Sequence, residues 1–120
     1  MEITIHNLAG VGVAEVLDGV VLIRHERDAI TLFEELFACG ARAAILRKEQ
    51  FAMEFFELSS GLAGAVLQKF STYRIQLVIV GDFSMVTSKV LKAFIYESDK
   101  GNQVFFVDSL QAALDRLAAI

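Results

Sequence analysis

Residues 77–82 read Leu-Val-Ile-Val-Gly-Asp, and this stretch decides the fold. Four consecutive apolar side chains leave no polar face, which is typical of a strand covered on both sides in a parallel sheet. Gly81 and Asp82 then end the strand with turn-forming residues. We therefore place this strand inside a layered α/β structure.

Strands and helices alternate around this stretch. Two further apolar runs, Ala43–Leu46 and Val104–Val107, predict neighbouring buried strands. Helical spacing of apolar residues predicts one helix over residues 62–70, another that includes Val90–Ile95 and stops near Gly101, and a last helix that opens at Asp108–Ser109. Because a crossover through a helix joins parallel strands, the three strands should run in the same direction.

The N-terminal part follows a different pattern. Apolar and polar residues alternate over Ile3–His6 and again over Val13–Val16, with Gly10 and Gly12 between them. This pattern predicts an antiparallel pair of strands. Val20–Ile23 is either a short third strand or the buried lead-in to a helix.

Helical spacing resumes between Asp28, which is placed to cap a helix, and Gly40, which is placed to end it. The order is then strand, strand, helix, strand, helix, strand, helix, strand, helix. We predict a single α/β domain over residues 1–120, with a mixed, mostly parallel sheet of four or five strands and about four helices.

Composition narrows the class of protein. The 120 residues are 55% hydrophobic and carry 11 basic and 15 acidic side chains, for a formal net charge of -4. Since such a charge attracts no phosphate backbone, we expect no nucleic-acid partner. No apolar run approaches the ~20 residues of a membrane span, so we expect no membrane contact. The single Cys39 fits a reducing compartment; we expect it to be a buried small residue of a cytoplasmic protein.

Two segments resemble the STAS domain, the fold of anti-sigma-factor antagonists. Ser59-Ser60-Gly61-Leu62 is similar to the D-S-S-G-L segment of those antagonists, in which a partner kinase phosphorylates the serine before glycine. Residues 104–114 are similar to their last strand and helix. The resemblance implies a regulatory role with a phosphoserine.

The whole chain is also similar to a bacterial family known as domain of unknown function 4180, which implies no established activity. Five segments carry this resemblance: Gly61–Gly64, Leu67–Ser71, Tyr73–Arg74, Val80–Ser84 and Phe94–Ser98.

Ser59 and Ser60 stand at the head of a predicted helix. A helix N-terminus offers free N–H groups and a favourable dipole to a phosphate, so Ser60 or Ser59 is a candidate phosphoacceptor. The same serines also suit an ordinary helix cap.

Asp82, Ser84 and Asp108 follow two strands predicted to be parallel neighbours. Ligands of α/β proteins bind outside the carboxyl ends of such strands, which makes these residues candidates for a ligand cleft. They could equally be the normal starts of helices. His6 and His25 are the only histidines and lie far apart in the sequence, so we predict neither a metal site nor a cofactor.

The segment Phe51–Leu58 contains Phe51, Met53, Phe55 and Phe56. These side chains either form an exposed interface or pack as a lid over the end of the sheet.

Taken together, these patterns favour a non-catalytic regulatory module. It would contact another protein, or a second copy of itself, through the aromatic segment, with Ser60 as its switch. The alternative is a small-ligand-binding protein or an enzyme that uses the cleft.

Overall fold

The five strands lie in one sheet in the order in which they occur along the chain, in a computed structural model that describes residues 1–120. β1 (Ile3–Leu8) and β2 (Val11–Val16) form an antiparallel pair. β3 (Ala41–Arg47), β4 (Gln76–Val80) and β5 (Val104–Val107) follow, and each runs parallel to the strand before it. The sheet is therefore mixed, and the chain forms a single α/β domain.

The α-helices number five, one more than the periodicity indicated. They are α1 (Asp28–Ala38), α2 (Met53–Phe56), α3 (Leu62–Thr72), α4 (Lys89–Lys100) and α5 (Leu110–Ala118). The additional element is α2, a single turn between β3 and α3 that the alternating pattern did not predict. The element order thus has two consecutive helices after β3, which departs from the order expected from the STAS resemblance.

The helices are distributed unequally over the two faces of the sheet. α1, α3 and α4 pack on one face, where the side chains of Val16, Leu46 and Ile79 are buried. Only α5 packs on the other face, over Ile45 and Val78. This asymmetry follows from handedness, because right-handed crossovers that all advance in one direction along a sheet place their helices on the same face.

The connection before α1 is an irregular lead-in and not a third strand. In the segment Val20–Ile23 only Ile23 makes a bridge, to Phe51. Asp28 is the first residue of α1 and does not cap it in the usual way. Its carboxylate instead accepts hydrogen bonds from the backbone N–H groups of Arg24 and His25, both at 2.9 Å, which closes the turn that precedes the helix.

The prediction that Cys39 is buried was wrong. Cys39 follows the last residue of α1 and is exposed, with its thiol donating to the carbonyl of Leu36 at 3.3 Å. The chain turns at Gly40 before it enters β3, so the cysteine side chain lies outside the core.

None of the helices combines the length and the apolar character needed to traverse a bilayer.

Candidate functional site

The chain leaves β4 and β5 toward opposite faces of the sheet. Residues 81–88 lead from β4 to α4 on the face that carries three helices, whereas Asp108–Ser109 lead from β5 to α5 on the other face. A cavity of about 410 Å³ opens between the two connections. We call it the strand-end cleft; it is lined by Gly81, Asp82, Phe83, Ser84, Phe106, Val107, Asp108 and Ala112.

The three residues that the sequence suggested for a cleft all line this opening. Ser84 donates to one carboxylate oxygen of Asp82 twice, from its hydroxyl at 2.5 Å and from its backbone N–H at 2.9 Å. These two bonds, the hydroxyl first, lower the pKa of Asp82 from its usual value of 3.8. Asp82 therefore carries its negative charge at neutral pH, with its second oxygen free toward solvent.

Asp108 supplies the second carboxylate of the cleft. Its side chain makes no hydrogen bond or ion pair with the rest of the protein, and the residue is exposed. The next residue, Ser109, caps α5 by accepting from the backbone N–H of Ala112 at 3.0 Å. Because Ser109 takes the capping role, the carboxylate of Asp108 is left for other contacts.

Lys48 lies beside the cleft, in space that is free only because residue 81 is a glycine. A Cβ atom added to Gly81 would meet the Cβ of Lys48 at 2.6 Å, closer than real Cβ contacts allow. The absence of a side chain at position 81 lets Lys48 cross the end of β4. Its ammonium group donates to the backbone carbonyl of Asp82 at 3.2 Å and lies 5.4 Å from the centroid of the Phe83 ring.

The aromatic segment, Phe51–Leu58, packs over the same end of the sheet, and we call it the lid. Phe51 and Phe55 are buried in the core, with 4% and 1% of their surfaces exposed, so neither ring is a surface residue. Phe56 is half-buried, and Met53 alone points outward, with 77% exposed. Burial of a phenylalanine side chain stabilises a fold by about 2–3 kcal/mol, which explains why these rings turn inward.

The lid is joined to the strand-end cleft through aromatic contacts. The ring of Phe56 lies 5.1 Å from Phe55 and 6.2 Å from Phe83, measured between centroids. Phe83 in turn meets Phe106 edge to face at 5.3 Å. Since Phe83 and Phe106 line the cleft, the lid and the cleft are connected by a continuous row of ring contacts.

A family model described as a domain of unknown function, DUF4180, matches residues 8–117. The chain belongs to this family. No curated protein and no solved structure matches it. The residues matched to DUF4180 include the whole strand-end cleft and the whole lid.

Sequence reasoning missed the polar residue that anchors the lid of this DUF4180 chain. Gln50 is 1% exposed and is the one polar side chain in the core. Its amide nitrogen donates to the carbonyls of Val16 and Asp18 at 3.1 and 2.8 Å, while its oxygen accepts from the N–H of Arg47 at 2.6 Å. A lone Gln between Glu49 and Phe51 gives no sign of burial, so no signal in the sequence could have identified it.

Ser59 and Ser60 are both exposed, and only Ser60 makes side-chain hydrogen bonds. Its hydroxyl donates to the carbonyl of Glu54 at 2.6 Å and accepts from the N–H of Leu62 at 3.2 Å. Ser60 thereby fastens α2 to the head of α3. Gly61 between them adopts a left-handed conformation with φ of 80°, which glycine reaches without strain.

Proposed function

We propose that this DUF4180 chain is a non-catalytic binding module that accepts a basic side chain of another protein in the strand-end cleft. The observation that supports this proposal is the divergence of the chain after β4 and β5. Neither α4 nor α5 covers the opening between the two connections. Open α/β sheets bind their ligands where neighbouring strands send the chain to opposite faces.

The chemistry of the cleft favours a cationic group, because its two carboxylates outnumber the one nearby cation, Lys48, whose ammonium group donates to the backbone carbonyl of Asp82. Asp82 and Asp108 contribute two carboxylates, of which that of Asp108 has no partner in the protein. The rings of Phe83 and Phe106 supply an apolar floor. A guanidinium or ammonium group on an aliphatic stem satisfies both parts, because its head pairs with carboxylates and its stem packs against rings.

Two exposed methionines support a protein partner over a free metabolite. Met85 follows the cleft residue Ser84 and is 82% exposed, and Met53 on the lid is 77% exposed. Flexible thioether side chains are favoured on surfaces that bind other proteins. They would contact the residues that flank a basic side chain in a partner.

The proposal can be tested by recording backbone amide shifts in NMR titrations with N-acetyl-argininamide. We expect shifts centred on residues 81–84 and on Asp108, and none with neutral N-acetyl-glutaminamide. A short Leu-Arg-Leu peptide with blocked ends should bind more tightly than the single amino acid, because its leucines reach the exposed methionines.

Two double variants that remove the same charge at different positions distinguish a specific site from an effect of net charge. Asp82→Asn combined with Asp108→Asn should abolish the shifts, whereas Glu2→Gln combined with Glu34→Gln removes the same charge from exposed residues elsewhere and should leave them unchanged. Equal losses in the two double variants would show that only net charge matters and would refute the site.

As a second candidate function, we propose that phosphorylation of Ser60 regulates this module by loosening the lid. A phosphorylated serine cannot donate to the carbonyl of Glu54, and it places about two negative charges next to Glu54 and Glu57. Both the lost bond and the repulsion favour release of α2. The contact between Phe56 and Phe83 would transmit that release to the cleft.

We expect Ser60→Ala to lower the free energy of unfolding by about 1 kcal/mol, since it removes two hydrogen bonds. Ser60→Glu should lower it further and should shift the amide signals of α2 and Phe83. Ser59→Glu is the matched control, because Ser59 makes no side-chain hydrogen bond, and it should change neither quantity. Identical effects of Glu at the two positions would argue against a specific switch at Ser60.

A further inference from the structure

One edge of the sheet is open, and it belongs to β1. The N–H of Leu17 donates to the carbonyl of Glu2 at 2.8 Å, so the backbone carbonyl of Glu2 points toward β2. Because hydrogen-bonding direction alternates along an antiparallel strand, Ile3, Ile5 and Asn7 direct their backbone N–H and C=O groups away from β2. No group of the protein pairs with these outward N–H and C=O groups.

The opposite edge, formed by β5, is protected. The side chain of Asp99 accepts from the N–H of Phe106 at 2.8 Å, and Arg116 donates to the carbonyl of Asp99. β5 is also short, with four residues. These are the features by which proteins prevent unwanted strand pairing.

β1 lacks every such feature. It has six residues, contains neither proline nor a basic lysine or arginine, and pairs with β2 in an unbroken register from Ile3–Val16 to Leu8–Val11. Ile5 is the middle one of the three residues whose backbone groups point outward, and it is 44% exposed. An exposed, regular and largely uncharged edge of this kind is a template for another strand.

We propose that β1 pairs antiparallel with β1 of a second copy of this chain, about a two-fold axis that passes beside Ile5. The position of this axis fixes the register of the two strands. Ile5 meets Ile5 of the second copy, and Ile3 meets Asn7. The three outward residues of each copy then exchange backbone hydrogen bonds in pairs, and the two sheets join into one of ten strands.

The charges of β1 are compatible with this arrangement. In the same register Thr4 lies opposite His6, and Glu2 lies opposite Leu8, so no two like charges face each other across the axis. The isoleucines at the centre lose solvent contact. A second copy therefore satisfies both the free backbone groups and the exposed side chain at once.

Sedimentation velocity over a range of concentrations tests the proposal. We expect wild-type protein to sediment with twice the mass of the 120-residue chain. Ile5→Lys should weaken self-association by at least about tenfold, because it sets two lysines opposite each other. Ile5→Glu should act in the same way, whereas an equimolar mixture of the two variants should form a mixed dimer.

Val90→Lys is the matched control, since Val90 is 65% exposed on α4 and the change adds the same charge far from β1 along the chain. Circular dichroism should show that every variant retains the wild-type fold. A wild-type chain that remains monomeric at the highest concentration would overturn the proposal. A dimer that resists Ile5→Lys, or a mixture of the two charged variants that stays monomeric, would also overturn it.

Discussion

At the scale of single residues, the tight turn between β1 and β2 contains a strained alanine. Ala9 and Gly10 form a two-residue hairpin loop, and both have positive φ angles, 53° and 87°. The side chain of Asn7 accepts from the N–H of Gly10 at 2.9 Å and holds the loop. A left-handed conformation is natural for glycine but costs alanine about 1 kcal/mol.

We expect Ala9→Asn to raise the free energy of unfolding by about 0.5–1 kcal/mol, because asparagine followed by glycine is the preferred pair for such a loop. Urea denaturation measures the change. Ala119→Asn provides the control, since Ala119 has an ordinary φ of -83° and should gain nothing. A variant at position 9 no more stable than the wild type would contradict a strained turn.

Residue-level packing is where the sequence predicts least. The sequence does not show which glycine has a close neighbour: Gly64 has open space around its missing side chain, whereas Gly81 is pressed against Lys48. The close contact at Gly81 depends on the path of Lys48, a residue that is distant in the sequence.

At the scale of secondary structure, prediction succeeds where an element has a clear hydrophobic pattern of its own. β4 and β5 were recognised from continuous apolar runs, and α3 from its helical spacing, to within a few residues of their observed ends. α2 was missed because four residues are too short to show a period. Its helical turn depends on tertiary contacts, namely the burial of Phe55 and the bond from Ser60 to Glu54.

At the scale of the whole molecule, the position of the strand-end cleft could be predicted but its form could not. Parallel strands end at one edge of a sheet, so Asp82 and Asp108 were expected to lie near each other. The opening between them depends on α4 and α5 lying on opposite faces. The face on which a helix packs is a global property that no local pattern encodes. For the same reason the sequence could not decide between lid and interface for Phe51 and Phe55.

The stability of the whole chain should decline in acid through its carboxylates. Burial raises the pKa of Asp28, but hydrogen bonds from the N–H groups of Arg24 and His25, aided by the nearby charges of His25 and Arg27, outweigh it and leave that pKa below its usual 3.8. The pKa of Asp82 is lowered as well. A carboxyl group whose pKa is lower in the folded than in the unfolded state stabilises the fold above its unfolded pKa. That contribution is lost as the pH falls through the folded value.

We therefore expect the free energy of unfolding to decrease as the pH is lowered from about 4 toward 2, in urea titrations at a series of pH values. Asp28→Asn should flatten this dependence, because the amide oxygen still accepts the two N–H groups but does not titrate. At pH 7 the variant should lie within about 1 kcal/mol of the wild type, since hydrogen bonds to a neutral acceptor are only moderately weaker. An unchanged slope in the Asp28→Asn variant would mean that acid acts on other groups, and that the turn before α1 does not depend on a charged carboxylate.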